Sequence, residues 1–147
     1  SVDKISTLLS ARTDKVYEAT VQLQEESEEQ MYRLTALRTK LFEHMVEKVD
    51  KDPDRKIYTS TMDDFSAEEL RQYALMVVER VGSCLVFAPN GLEGFRYACA
   101  SNETDCREIT NRLNKALNGR GGGSSKLTQG AVSCNRDEVE SYISTLI

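Results

Sequence analysis

The stretch NGRGGGSSKLTQGAVSC, residues 118–134, decides how this chain is read. Five glycines (Gly119, Gly121, Gly122, Gly123 and Gly130) sit there beside Arg120, Lys126, Ser124 and Ser125, while the rest of the chain has the spacing of ordinary helix and strand. A Gly/Ser run taken alone behaves as flexible coil, so one reading is a linker. Its position weakens that reading, because about a dozen residues separate it from a final helix and a linker there tethers almost nothing. The other reading is a loop whose successive backbone N–H groups converge on an anion, with Arg120 and Lys126 as countercharge. Known phosphate loops fail a direct test. A Walker loop ends Gly-Lys-Ser/Thr, whereas here Lys126 follows Ser125 and precedes Leu127; a dinucleotide fingerprint has its third glycine where Ser124 stands, and it follows a strand.

Working outward, residues 105–117 are expected to be a helix that delivers the chain into the glycine loop, and LTQGAVS is a strand candidate. Asn135 with Glu138 three residues on has the N-cap pattern of a closing helix carrying Val139, Tyr142 and Ile143 inward. Upstream, KIYTST is a short strand candidate, and Ser66 with Glu69 forms a capping box before a helix with Leu70, Ala74, Val77 and Val81 on one face. SCLVFA and GFRYACAS are two strands joined by a turn at Asn90-Gly91. Phe95 and Tyr97 are candidates to stack on a base, with core packing the favoured reading for both rings.

Residues 2 to about 49 lack Pro and Gly and predict helix. Ile5, Leu9, Val16 and Leu23 run near heptad spacing, and Met31, Leu34, Leu41 and Met45 follow a polar break at residues 27–30. So narrow a stripe asks for a partner helix, in this chain or in a second copy, and Ile5, Leu9, Val16, Leu23, Leu34, Leu41 and Met45 are the candidate dimerisation residues. The phase shift at the break is either a stutter in one helix or the bend of a helical hairpin. Pro53 marks the exit. The expected fold is α/β: a compact mixed-sheet domain over residues 53–147 with a glycine-rich loop at 118–130, preceded by a coiled-coil or hairpin arm over residues 1–52.

The 147 residues suffice for one core, and no apolar run approaches the ~20 residues that span a bilayer, so no membrane role is expected. The N-terminal SVDKISTLLSARTDK lacks the apolar core of a secretory signal, and its lack of Met suggests a piece of a longer protein. A net charge of −5 opposes uniform attraction to nucleic acid, yet residues 107–126 carry Arg107, Arg112, Lys115, Arg120 and Lys126 against Glu108 alone. Cys84, Cys99, Cys106 and Cys134 are far apart, with only His44 to complement them, so reduced thiols and no metal site are expected. His44 reads as a helix-surface residue, and the adjacent pairs Glu25/Glu26 and Asp63/Asp64 as solvated faces; no catalytic residue is assigned.

GRGGGSSKLTQGAV resembles the glycine-rich signature of the C-terminal domain of alanyl-tRNA synthetases and of long-form alanyl-tRNA editing proteins. Residues 57–147 resemble that domain throughout, and the preceding helical segment resembles theirs as well. Many synthetases carry Arg-Pro-Asp after the glycines and then Ala-Gln-Ala-Gly; Ser124, Ser125 and the QGAVS ending here are closer to the free-standing editing proteins. The resemblance implies a non-catalytic, cytoplasmic, tRNA-binding and dimerising appendage. Its parent would be a hydrolase that edits alanine-specific tRNA or, alternatively, the ligase that charges it, with zinc in a separate editing domain. It also implies RNA-binding roles for Arg120, Gly121, Gly122, Gly123, Ser124, Ser125, Lys126 and Gln129, joined by Arg107, Arg112 and Lys115 as a phosphate-following row. Two alternatives stand beside it. One is the substrate-binding accessory domain of a DHH-type phosphoesterase, where a histidine usually stands at the place of Ser124; the other is a purely structural dimerisation module.

Overall fold

The computed structural model describes residues 2–50 and 52–146; Ser1, Lys51 and Ile147 lie outside the described residues. The elements in chain order are α1 (Val2–Glu47), β1 (Tyr58–Thr61), α2 (Ala67–Val81), β2 (Ser83–Pro89), β3 (Phe95–Ser101), α3 (Cys106–Leu117), β4 (Gly119–Gly123), β5 (Leu127–Val132) and α4 (Arg136–Thr145). Two compact units result, Ser1–Leu41 and Phe42–Ile147.

In the second unit β2 and β3 lie within a five-stranded sheet of order β1-β2-β3-β5-β4, with β1 parallel to β2 and the other pairs antiparallel. Both of these strands are buried on two faces, which explains why SCLVFA is a continuous apolar run rather than an alternating one. The strand period of two then sorts the side chains. Cys84, Val86, Ala88, Ala98 and Ala100 meet Leu70, Tyr73, Ala74, Val77 and Val81 of α2 on one face. Leu85, Phe87, Phe95, Tyr97 and Cys99 meet Cys106, Leu113 and Leu117 of α3 and Val139 of α4 on the other. Three alanines on the α2 face let that helix lie close.

Local signals hold. Ser66 Oγ accepts from Glu69 N and Glu69 Oε1 accepts from Ser66 N, closing the capping box at 3.2 and 3.1 Å. Asn135 Oδ1 accepts from Glu138 N at 2.9 Å, and Asp105 Oδ1 from Arg107 N at 2.9 Å, so α4 and α3 are capped in the same way. The β2–β3 connection turns with Gly91 and Gly94 at φ 67° and 89°. All four cysteines are buried free thiols; burial pushes the Cys84 thiol up to about 12 and raises Cys99, Cys106 and Cys134 as well.

Two expectations change. The glycine-rich segment is a strand, β4, hydrogen-bonded to β5 along its length, rather than a loop. The polar break at residues 27–30 is not a hairpin bend, because α1 runs through it uninterrupted. The reason is local: Gln22 donates to Glu26 at 3.4 Å, Gln24 to Glu28 at 3.5 Å, and Arg33 bonds Glu29 at 2.7 Å, so pairs one turn apart span the polar stretch. The stutter is the reading that survives.

The last turn of α1 belongs to the second unit. Phe42, 1% exposed, stacks on Phe65 at 5.2 Å and meets Tyr73 edge-on at 5.6 Å, and Met45, Val46 and Val49 pack around it. Met45 therefore faces this core instead of continuing the exposed stripe. Phe42→Ala should lower the stability of the globular unit by about 3–5 kcal/mol in urea titration. Leu34→Ala, on the exposed stripe, should leave that unit's midpoint unchanged.

Candidate nucleic-acid interface

The left-handed Asn118 (φ 51°) ends α3 and turns the chain straight into β4. Register then places Tyr97, Gly130 and Gly121 in one row across β3, β5 and β4. Tyr97 is buried, and its hydroxyl donates to Asn114 Oδ1 of α3 at 3.1 Å. A Cβ at Gly121 or Gly130 would overlap that hydroxyl and the facing backbone, and one at Gly119 would stand 2.7 Å from Asn114 Oδ1. These three glycines form the floor on which Tyr97 and α3 lie. Gly122 differs, since a Cβ there would meet open space.

The extended backbone of β4 alters the expected chemistry. Successive N–H groups of a strand alternate in direction, so Gly121, Gly122 and Gly123 do not converge on one anion as they would in a concave loop. Ser124 is also committed: its Oγ accepts from Lys126 N and Leu127 N, each at 3.3 Å, which closes the β4–β5 turn. The Ser125 carbonyl accepts from Cys106 N at 2.8 Å and the Lys126 carbonyl from Ser101 N at 3.1 Å, seating that turn against the start of α3. Thr110 and Thr128 join their hydroxyls beneath it. What the edge offers a ligand is the open side of β4 and the side chains of Arg120 and Lys126, both exposed.

The basic residues divide between the two faces of the sheet. Arg107, Arg112 and Lys115 ride on α3, and Arg107 is engaged by Asp105 at 2.7 Å, a bond that holds the Asp105 carboxyl below its usual range. Arg120 is on the opposite face, level with Ala131, and so is Arg96, which pairs in register with the same Ala131 from β3. Arg96, Arg120, Gln129 and Ala67 line a concavity of about 440 Å³ at the start of α2. Gln129 Nε2 donates to Ala67 O at 2.9 Å, and Arg96 Nη1 donates to the Phe65 and Pro89 carbonyls at 3.1 Å each. The expected row on α3 is thus not continuous with Arg120. Sequence reasoning misses Arg96, because only the sheet register brings it opposite Arg120. Phe95 and Tyr97 are core rings, unavailable for stacking on a base. Among the described residues no group of three or more His, Cys, Asp or Glu is placed to hold a metal ion, and no helix is long and apolar enough to cross a membrane.

No family model matches the chain, and no curated protein matches it in sequence. Solved structures do share its fold. The C-Ala domain of alanyl-tRNA synthetase from Aquifex aeolicus superposes with a TM-score of 0.55 at 19% identity, covering 67% of this chain and 98% of that one. RecJ from Thermus thermophilus, in complex with Mn2+, gives 0.54 at 18% identity, over 79% of this chain and 18% of its own. An exonuclease RecJ bound to manganese gives 0.56 at 19%, over 78% of this chain and 29% of its own. The chain has the fold of a C-Ala domain. It spans less than a third of the length of either RecJ chain.

Gly121→Ala should cost about 1–3 kcal/mol by forcing Tyr97 off its seat, while Gly122→Ala should stay within about 0.5 kcal/mol of the parent. Denaturant midpoints of the two variants test the division between packing glycines and an open one.

Proposed function

We propose that this chain is a tRNA-binding, non-catalytic C-terminal domain serving a protein that edits alanine-specific tRNA. The observation that carries the reading is the C-Ala fold, with Arg120 and Arg96 set across Ala131 on an open concave face. A phosphate backbone lying along β4 meets the Arg120 guanidinium and the Lys126 ammonium, beside Gln129, which its bond to the Ala67 carbonyl holds at the wall of the concavity. Gly122 adds no side chain to obstruct close approach. Arg112 and Lys115 make secondary contacts only with a ligand that wraps the edge and reaches α3. Ser124 and Ser125 followed by the QGAVS ending support an editing protein over a synthetase as parent. Zinc belongs to the parent's editing domain in this reading, the place of work is the cytoplasm, and the chain self-associates through residues of Ser1–Leu41.

With three or four phosphates neutralised, log K falls against log salt with a slope of about −2 to −3.5, a loss of roughly 10- to 100-fold between 50 and 200 mM. Titration of alanine-specific tRNA should therefore give micromolar or weaker, salt-sensitive binding. Arg120→Ala with Lys126→Ala should weaken it by about tenfold or more and flatten the slope by about 2. Unchanged affinity in that variant removes the edge from the interface. The likeness to RecJ favours one other reading, a nucleic-acid-gripping domain beside a phosphoesterase, and preference for single-stranded DNA over tRNA in competition decides for it.

A further inference from the structure

We propose that α1, over its part before Phe42, pairs with the same helix of a second copy in antiparallel sense, Val16 of one lying beside Leu23 of the other. This rests on the self-association just proposed and fixes its direction and register.

Ile5, Leu9, Val16, Leu23, Leu34 and Leu41 are each more than half exposed on α1. Their spacings are 4, 7, 7, 11 and 7 residues. Heptads alone drift around a helix, and the eleven-residue step cancels the drift, so Ile5 and Leu41 stand about ten whole turns apart on one straight line. Such a line is completed by a like line. Its polar members then decide the direction, for the stripe also contains Arg12, Ser27 and Gln30. A parallel pair in register stacks Arg12 on Arg12 inside the seam. An antiparallel pair with Val16 beside Leu23 also sets Ile5 beside Leu34, Leu9 beside Gln30, and Arg12 beside Ser27, within a turn of Glu26, Glu28 and Glu29; Leu41 then lies outside the paired stretch. Ala19, near the two-fold axis, is small enough for close approach.

The flanks agree. At 100° per residue Lys15, Glu26 and Arg33 share one flank of the stripe and Thr20, Met31 and Arg38 the other. Parallel helices put unlike flanks together, giving Lys15 with Thr20, Glu26 with Met31, and Arg33, which Glu29 already pairs, with Arg38: no ion pair between the copies. Antiparallel helices put like flanks together, so Lys15 meets Glu26 of the second copy and Glu26 meets its Lys15. In the chosen seam register these two pairs lie two residues, about 3 Å along the axis, off level, a distance that both long side chains span.

The test uses the full chain in sedimentation equilibrium, with helicity followed by circular dichroism. Expected is a doubling of the 16.5 kDa mass. Lys15→Glu and Glu26→Lys should each weaken the dimer about fivefold or more, and the two together should restore it, because the swapped charges meet again. Since the native thiols are buried, introduced cysteines report alone. Val16→Cys mixed with Leu23→Cys should cross-link, and neither variant should link to itself. Self-linking of Val16→Cys, or no recovery in the charge swap, overturns the antiparallel register while self-association stands. A mass that stays at one chain overturns both, and the tRNA titration then reads the remaining half of the proposed function independently.

Discussion

The globular unit depends on the seat of Tyr97. Its ring crosses Gly130 and Gly121 on the α3 face and its hydroxyl reaches Asn114, so one side chain ties β3, β5, β4 and α3 together. Burial raises the phenol above its usual range, which keeps the proton on the oxygen and the donor role intact at every ordinary pH. The two glycines follow from this. Any side chain there lifts the tyrosine, and with it α3, off the sheet. A glycine edge also costs stability, since glycine loses more backbone freedom on folding than other residues and contributes no contacts. Closing the turn with Ser124 Oγ and docking the Ser125 and Lys126 carbonyls on Cys106 and Ser101 offset part of that cost.

An exposed edge strand invites pairing with any other strand. β4 is short and bears Arg120 at its second position, with Lys126 in the turn beyond Gly123, and these cations oppose peptide docking through their hydration while attracting a polyanion. Protection of the edge and the phosphate contacts proposed above would rest on the same two charges. The acidic residues of α1 and of the α2 start keep the sum negative.

Much of this fold is legible in the sequence because its signals are local. Ser66/Glu69, Asp105 and Asn135 announce helix starts through contacts spanning two or three residues, and the buried β2–β3 pair shows itself as apolar runs around Asn90-Gly91. What escapes is set by contacts between distant residues. Whether GRGGG is coil or strand turns on Tyr97, which nothing near the glycines reveals. Phe42 looks like any apolar residue of α1 until Phe65 and Tyr73 enclose it. Residues 27–30 look like a break because they interrupt the stripe, yet a helix needs no apolar face where it is solvated, only i,i+4 partners, and Gln22, Gln24 and Glu29 find theirs. Arg96 escapes for the same reason as the strand: register, not spacing, gives it Arg120 as a neighbour.

Division of the basic residues by the sheet constrains how a polyanion can lie. Arg96 and Arg120 face the α2 side while Arg112 and Lys115 ride on α3, and β3 and β5 stand between them as a closed wall. A duplex resting flat on either face touches only half of the charge. Only at the β4 margin do both faces come within reach of one backbone, and there Gly122 and Gly123 leave the main chain bare. A ligand that engages both faces must therefore straddle the edge, and Arg112, which sits beside Tyr142 of α4, lies away from that path.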